Sequence, residues 1–429
     1  MVSIFSNNDN TISAELFADI ISVSKSTISK WEKNEKIKPV KNPITGRKEY
    51  SISNLSELDE FKIFKEMAYS NWDKELKIKP LRPYQSIELF AGAGGLAIGL
   101  EKAGFTTIAV NEVDKDSCKT LRFNRPSWNV IEGDIKNVDF TKFNNIDFVS
   151  GGFPCQAFSY AGNKLGFEDA RGTLFFEFAR AIKEIKPKVF LGENVRGLLE
   201  HDEGRTLASM KSIIHELGYT LIEPHVLKAI FYQVPQKRER LFLVGIRNDL
   251  FKYSKFSWPA PYKKIFTLKD ALKAGELFDS DVPNSEGQVY VKRKKEIMSL
   301  VPQGGYWKDL PDKIQREYMK KSYFLGGGKT GMARRLSWDE PSLTLTCAPA
   351  QNQTERCHPE ETRPLTVREY ARIQTFPDAW SFVGFINSQY KQIGNAVPVN
   401  LSHAVGRSLI ALMNSIEEKK IYKKSISFD

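Results

Sequence analysis

A doubly wound Rossmann-like α/β domain, with a small irregular domain and an N-terminal helical extension, is what this 429-residue sequence predicts. Three observations lead there. Short apolar runs alternate with helical patterns through the middle of the chain. The first of these runs opens into a glycine-rich loop, and the alternation stops at Trp258-Pro259-Ala260-Pro261. The chain is too long for a single core, and its 41% hydrophobic and 12% aromatic content is that of a folded protein. No apolar run reaches membrane-spanning length and no signal pattern opens the sequence. Cys118, Cys155, Cys347 and Cys357 are spaced too unevenly for a disulfide framework, so a cytoplasmic protein is expected. Cys347, Cys357 and His358 fit no zinc spacing and lack a fourth ligand, so no metal is expected.

Taken in order, residues 14–21 have the apolar spacing of a short helix, and Lys25 to Lys33 suit a second one after a turn at Ser22-Val23-Ser24. That is a helix-turn-helix pattern, whose second helix would enter a major groove with Lys25, Thr27 and Lys30 toward the DNA. From Lys25 to Lys48 there are eight basic residues and two acidic ones. The stretch from Ile37 to Tyr50 resembles the wing of mercury-resistance-type (MerR-type) winged helices, placing such a domain at 1–78. A helical pair used for packing or dimerisation is the plainer alternative. Lys79-Pro80-Leu81-Arg82-Pro83 marks a boundary.

Strands are predicted at Ser86–Phe90, Thr106–Asn111, Asn129–Gly133, Ile146–Gly151, Val189–Glu193, Thr220–Leu227 and Leu241–Ile246, with helices such as Leu96–Ala103 and Leu174–Ile185 between them. They define a domain at 84–255. Residues 256–360 form the irregular domain, and 361–429 return to helical pattern. The net charge of +11 is concentrated: residues 252–335 hold 18 Lys and Arg against 9 Asp and Glu. A basic segment on a near-neutral body suits a polyanion such as nucleic acid.

The chemistry gathers at strand ends. Gly151-Gly152-Phe153-Pro154-Cys155 presents a cysteine just past the fourth strand, where it could act as a nucleophile. Phe90-Ala91-Gly92-Ala93-Gly94-Gly95-Leu96 fits a nucleotide-binding glycine loop, and Glu112, 20 residues after Gly92, could take ribose hydroxyls. Asp134, with Ile135 beside it, follows the third strand. By themselves these features suit a dinucleotide site equally well, which leaves a nicotinamide-dependent oxidoreductase open. The N-terminal pattern leaves a non-enzymatic DNA-binding regulator open.

Four further motifs follow in order: Glu193-Asn194-Val195, Gln236-Lys237-Arg238-Glu239-Arg240, Arg363-Pro364-Leu365-Thr366 with Arg372 to Pro377, and Gly394-Asn395-Ala396-Val397-Pro398. With Pro154-Cys155 they make the chain from Ser86 onward resemble the DNA (cytosine-5) methyltransferase family. The resemblance implies S-adenosylmethionine as cofactor, held by Phe90, Gly92, Gly94, Gly95, Leu96, Glu112, Asp134, Ile135, Pro154, Leu174, Asn395 and Val397. It implies that the Cys155 thiolate adds to carbon 6 of a flipped-out cytosine while Glu193 protonates or hydrogen-bonds ring N3. Asn194 would position the base or the loop, and Arg238 and Arg240 would steady the pyrimidine O2 and the thiolate side. Ser159 would lie in a loop closing over duplex DNA. The irregular domain would read the target through residues such as Arg334, Arg335 and Gly326-Gly327-Gly328. A run from Arg334 to Pro359 resembles enzymes that read GG…CC palindromes such as GGNCC or GGWCC. Pairing with a restriction endonuclease and a monomeric catalytic unit are the remaining expectations, with a dimer conceivable through the N-terminal domain.

Overall fold

In a computed structural model of the chain, residues 2–3, 11–21, 23, 25–41, 48–55, 57–59, 61–62, 64, 72–154 and 173–426 are described. The strands fall close to where the apolar runs predict, and the central ones are buried on both faces. They are β1 (Tyr84–Leu89), β2 (Phe105–Glu112), β3 (Asn129–Glu132), β4 (Phe148–Gly152), β5 (Val189–Asn194), β6 (Tyr219–Leu221), β7 (His225–Lys228) and β8 (Glu239–Arg247). The sheet order is β6-β8-β5-β4-β1-β2-β3, with β7 also pairing β8. The β1 to β5 ladders are parallel, whereas β8 runs antiparallel to β5, β6 and β7. The single strand predicted at Thr220–Leu227 is two strands. Glu223-Pro224 lies between them, and a proline cannot donate to the ladder.

This topology decides where a ligand can sit. Parallel register sets Leu89 beside Gly151 and Gly152 beside Glu193, so the carboxyl ends of β1, β4 and β5 form one rim. Since β8 is antiparallel, its first residues, from Glu239, reach that same rim. Helices cover both faces. α1 (Gly95–Ala103) follows the glycine loop, and α2 (Lys115–Asn124) is capped by Asp114, which accepts from Ser117 N at 3.0 Å. α3 (Leu174–Ile185) buries Phe175, Phe178, Ala179, Ile182 and Ile185 at helical spacing, and Thr173 caps it.

The C-terminal segment completes this domain. α4 (Val399–Ile426) lies along α1, with Leu401, Ala404, Val405 and Leu409 in the apolar cluster that contains Leu96, Leu100 and Ala103. The approach is close enough to require glycine. A Cβ on Gly99 would stand 2.3 Å from Ser402 Cβ and 2.6 Å from Val399 O.

Residues 256–360 hold a small apolar cluster of their own around Tyr290, Met298, Trp307, Tyr318 and Cys357. Its centre is polar: the buried Glu355 carboxylate accepts from Tyr290 Oη at 2.7 Å and Tyr318 Oη at 3.2 Å, and pairs with Lys294. The N-terminal residues form helices Ala14–Ile20 and Lys25–Lys33, then paired strands Pro39–Lys41 and Lys48–Ser51. They dock on the main domain through Phe64 against Phe231 (4.8 Å), Asp19 to Lys228 (3.3 Å) and a Glu15–Lys237 pair.

Gly99→Ala is expected to lower the unfolding free energy by about 1–3 kcal/mol through overpacking between the two helices. Gly197→Ala, whose added Cβ meets nothing within 4 Å, should unfold at the same denaturant concentration as the parent. Urea titration distinguishes them.

Candidate active site

A cavity of about 1010 Å³ lies outside the carboxyl ends of β1, β2, β4 and β5. That is large for a single small ligand. One end is built by the glycine loop. Phe90 and Gly92 have φ of 56° and 53°, and a Cβ on Gly92 would meet nothing within 4 Å, so ligand atoms can approach the backbone there. Gly92 N donates to Glu112 Oε2 at 2.7 Å, while Glu112 Oε1 accepts from Val113 N and Asp114 N at 2.9 and 2.8 Å. Oε1 is thereby filled, whereas Oε2 keeps lone-pair capacity for a hydroxyl. Phe90, Leu96, Leu174, Val113 and Val397 give this end apolar walls. The set fits one adenosine-bearing ligand.

The other end is built by β4, β5 and β8. Glu193 is buried and pairs with Arg240, Oε1 to Nε at 2.6 Å. Burial raises its carboxyl above the usual range, with Arg240 and then Arg238 opposing. The glycine at 152 makes room for it, since a Cβ there would lie 2.8 Å from Glu193 Oε2. Asn194 Nδ2 donates to Phe153 O at 2.9 Å, fixing the backbone that leads to Pro154, and its Oδ1 accepts from Val195 N at 2.8 Å. Cys155 and Ser159 lie outside the described residues; Pro154, immediately before Cys155, lines the cavity.

The two arginines of the Gln236–Arg240 motif divide their work. Arg238 is buried, donating to Leu345 O at 3.1 Å and Gly394 O at 2.9 Å. Burial, then Arg240, disfavours its charge. It therefore clamps the end of the irregular domain to the Gly394 motif, and Arg240 is the one that meets Glu193. Gly394 is required by that clamp, since its Cβ would fall 2.3 Å from Thr346 O. Gly95 likewise admits backbone rather than ligand alone, with Val397 O 2.4 Å from where its Cβ would be. Gly94 packs against Leu121 and Trp380 and does not line the cavity.

Of the predicted cofactor residues, Phe90, Gly92, Gly95, Leu96, Glu112, Pro154, Leu174, Asn395 and Val397 come together in the cavity. Asp134 and Ile135 do not. Asp134 borders a neighbouring hollow and caps a turn by accepting from Lys136 N at 3.0 Å, while Ile135 is buried beneath it. Arg335 requires a correction. It is 4% exposed, and its guanidinium donates to Val301 O, Met298 O, His358 O and Thr362 Oγ1, so it holds the irregular domain together and is not free for DNA. Arg334 is half-buried beside Glu340 at 3.5 Å. Lys30 is exposed and Thr27 half-buried on the second N-terminal helix, which Lys25 begins.

Several site residues escaped the sequence. Thr346, Cys347 and Lys391 line the cavity, and Cys347 Sγ donates to Asn395 Oδ1 at 3.2 Å. Lys391 precedes Asn395 by one helical turn, a spacing that could have flagged it. Glu88, buried inside β1, also lines the cavity; burial pushes its carboxyl well up, and Ser150 Oγ donates to it at 3.4 Å. Gln236 and Gln374 form a buried pair at 2.8 Å joining two of the quoted motifs. Arg238→Ala should cost about 2–4 kcal/mol by leaving a cavity and two unpaired carbonyls. Arg240→Ala, at the partly open rim, should cost less in the same denaturant titration.

The C-5 cytosine-specific DNA methylase family model matches residues 84–411. The chain is 64% identical over 404 residues to type II methyltransferase M.Eco47II of Escherichia coli, covering 94% of this chain and 96% of that one. It is 46% identical to M.Sau96I of Staphylococcus aureus over 422 residues, covering 95% and 96%. A solved E. coli prophage-encoded structure, described as a DNA modification methyltransferase, shares the fold at TM-score 0.55 and 24% identity, covering 77% of this chain and 99% of that one. The strand-end cavity, its glycine loop and its Glu193–Arg240 pair thus stand in a chain that belongs to the C-5 cytosine-specific DNA methylases, enzymes that use S-adenosylmethionine.

Proposed function

We propose that the chain methylates carbon 5 of one cytosine within a GG…CC palindrome of the GGNCC or GGWCC type, through a covalent Cys155 adduct on a flipped-out base. The observation that carries this reading is the buried Glu193–Arg240 pair at 2.6 Å, on the rim of a cavity large enough for a cofactor and an extruded base. The Cys155 thiolate forms a bond to carbon 6, and the ring's 5,6 electron pair moves to carbon 5. Glu193, whose burial favours the protonated form, hydrogen-bonds or protonates N3 and so neutralises the charge that the addition delivers to the ring. Arg240 holds Glu193 in place and offers a cation to O2. Bound S-adenosylmethionine would supply the methyl group to carbon 5 and leave as S-adenosylhomocysteine. Loss of the carbon 5 proton to water then restores the 5,6 double bond and expels Cys155 as thiolate. Asn194 fixes the backbone that leads to Pro154, next to Cys155, and Asp134 borders a hollow beside the adenosine end. Arg334 and the glycines of Gly326-Gly327-Gly328 face the duplex.

The physiological setting we infer is the bacterial cytoplasm, with the enzyme acting as a monomer that protects host DNA from a cognate restriction endonuclease. No helix among the described residues is long and apolar enough to cross a membrane. The N-terminal domain supports a second role, binding the operator of its own gene as a winged helix-turn-helix and, in that setting, pairing with a second copy. Lys30 and Lys33 on its second helix, Lys38 after it and Lys41 on the following strand are exposed, whereas Glu15 and Asp19 of the first helix face the main domain.

Incubation with S-adenosylmethionine and a GGNCC duplex containing 5-fluorocytosine should trap a denaturant-resistant adduct, because fluorine cannot leave carbon 5 as a proton does. Cys155→Ala should form none; an adduct of equal yield in that variant would contradict the mechanism. For the operator role, the chain should footprint a segment upstream of its coding sequence that lacks the methylation site. Lys30→Glu should erase that footprint, and protection that persists would count against groove contact by the second helix.

A further inference from the structure

The irregular domain carries an apolar tip that its own fold leaves uncovered. Phe324 is 78% exposed and the adjoining Leu325 65%. They end the short 3-10 turn Lys320–Phe324 and run into Gly326-Gly327-Gly328. A Cβ on Gly326 or Gly327 would meet nothing within 4 Å, so the tip stands clear of the protein. Its base is nevertheless braced. The Lys329 ammonium donates to the carbonyls of Ser322 and Leu325, and Tyr323 packs edge-on against Trp307 at 6.0 Å and Phe324 at 5.3 Å.

Charge and position point to one kind of partner. Lys320 and Lys321 are exposed at the foot of the tip, and the Arg316 guanidinium lies over Tyr323 at 5.0 Å. The nearest acid in sequence, Glu317, is paired with Arg293 at 2.6 Å. The loop is rooted at the cleft: Glu355 N donates to Gly331 O at 2.8 Å, Thr354 Oγ1 is 3.0 Å from Thr346 Oγ1, and Thr346 lines the cavity. Stacked bases present apolar faces framed by phosphates, which is the complement of an apolar tip collared by cations.

We propose that Phe324 and Leu325 form a wedge that enters the bound duplex between base pairs and unstacks it beside the target cytosine, with Lys320 and Lys321 on the flanking phosphates. This rests on the reading that the chain methylates duplex DNA. The wedge offsets part of the cost of extruding a paired base, so its removal matters most when that base is firmly paired.

The test uses the full chain and two GGNCC duplexes, one with the target cytosine paired to guanine and one with it mispaired. Phe324→Ala should lose about tenfold or more in kcat/KM on the paired duplex and recover most of that on the mispaired one. Phe324→Trp serves as the binding probe: its added tryptophan emission should be quenched when duplex binds. Equal losses on both duplexes, or none on either, would overturn the wedge. So would an added tryptophan whose emission is unchanged by a duplex that binds, or a Phe324→Ala defect confined to self-association. The emission measurement needs no methyl transfer, so failure of the wedge is separable from failure of the methyltransferase reading.

Discussion

The ion pair between Glu193 and Arg240 is the constraint on which the rest of the site depends. A carboxyl buried at the end of β5 would be neutral by default, and a guanidinium without a partner would be costly there. Placed 2.6 Å apart they hold each other, yet burial still lifts Glu193 above the ordinary carboxylate range. Burial thus shifts Glu193 toward its protonated form, and Arg240 opposes that shift. Parallel strands alone would not arrange this. The antiparallel β8, pairing β5 from Leu241–Asn194 to Ile246–Val189, carries Arg240 back to the rim where the parallel strands end.

Around that pair the cleft is assembled from distant parts of the chain, and glycines mark each junction. Gly152 leaves room for the Glu193 carboxyl, Gly95 for the Val397 carbonyl, and Gly394 for the Thr346 carbonyl. Arg238 then bolts residues 345 and 394 together through their carbonyls, and the Gln236–Gln374 pair adds a second tie. The glycine-loop end of the cavity, its Glu193 end and the irregular domain therefore share walls. A change in the irregular domain near Thr346 reaches the active site without crossing a flexible joint.

Much of this was legible in the sequence, for physical reasons that can be named. Strands buried on both faces leave unbroken apolar runs, and a loop that admits a ligand to its backbone leaves glycines. The glycine loop and Glu112 alone suited a nicotinamide cofactor as well; the order of Pro154-Cys155, Glu193 and the arginine motif separated the two. Side-chain direction was not legible. Arg238 and Arg240 are equivalent in a motif, and only the strand register and the approach of Leu345 and Gly394 send one inward and the other to Glu193. Arg335 looked like a DNA contact because arginine in a basic segment usually is exposed; its six oxygen partners come from residues 298 to 362, which no local pattern connects. The break at Pro224 could have been read from the proline itself. The docking of the N-terminal helices through Asp19–Lys228 and Glu15–Lys237 could not.

The claim that Glu193 and Arg240 act on the base as a unit is tested most directly by a double-mutant cycle in single-turnover methyl transfer. Glu193→Gln, Arg240→Lys and the double variant would be compared at saturating S-adenosylmethionine. If the pair is a unit, the double variant loses little more than the worse single one, giving an interaction energy of roughly 1–3 kcal/mol. Losses that simply add would contradict it, and would mean that each residue meets the cytosine independently.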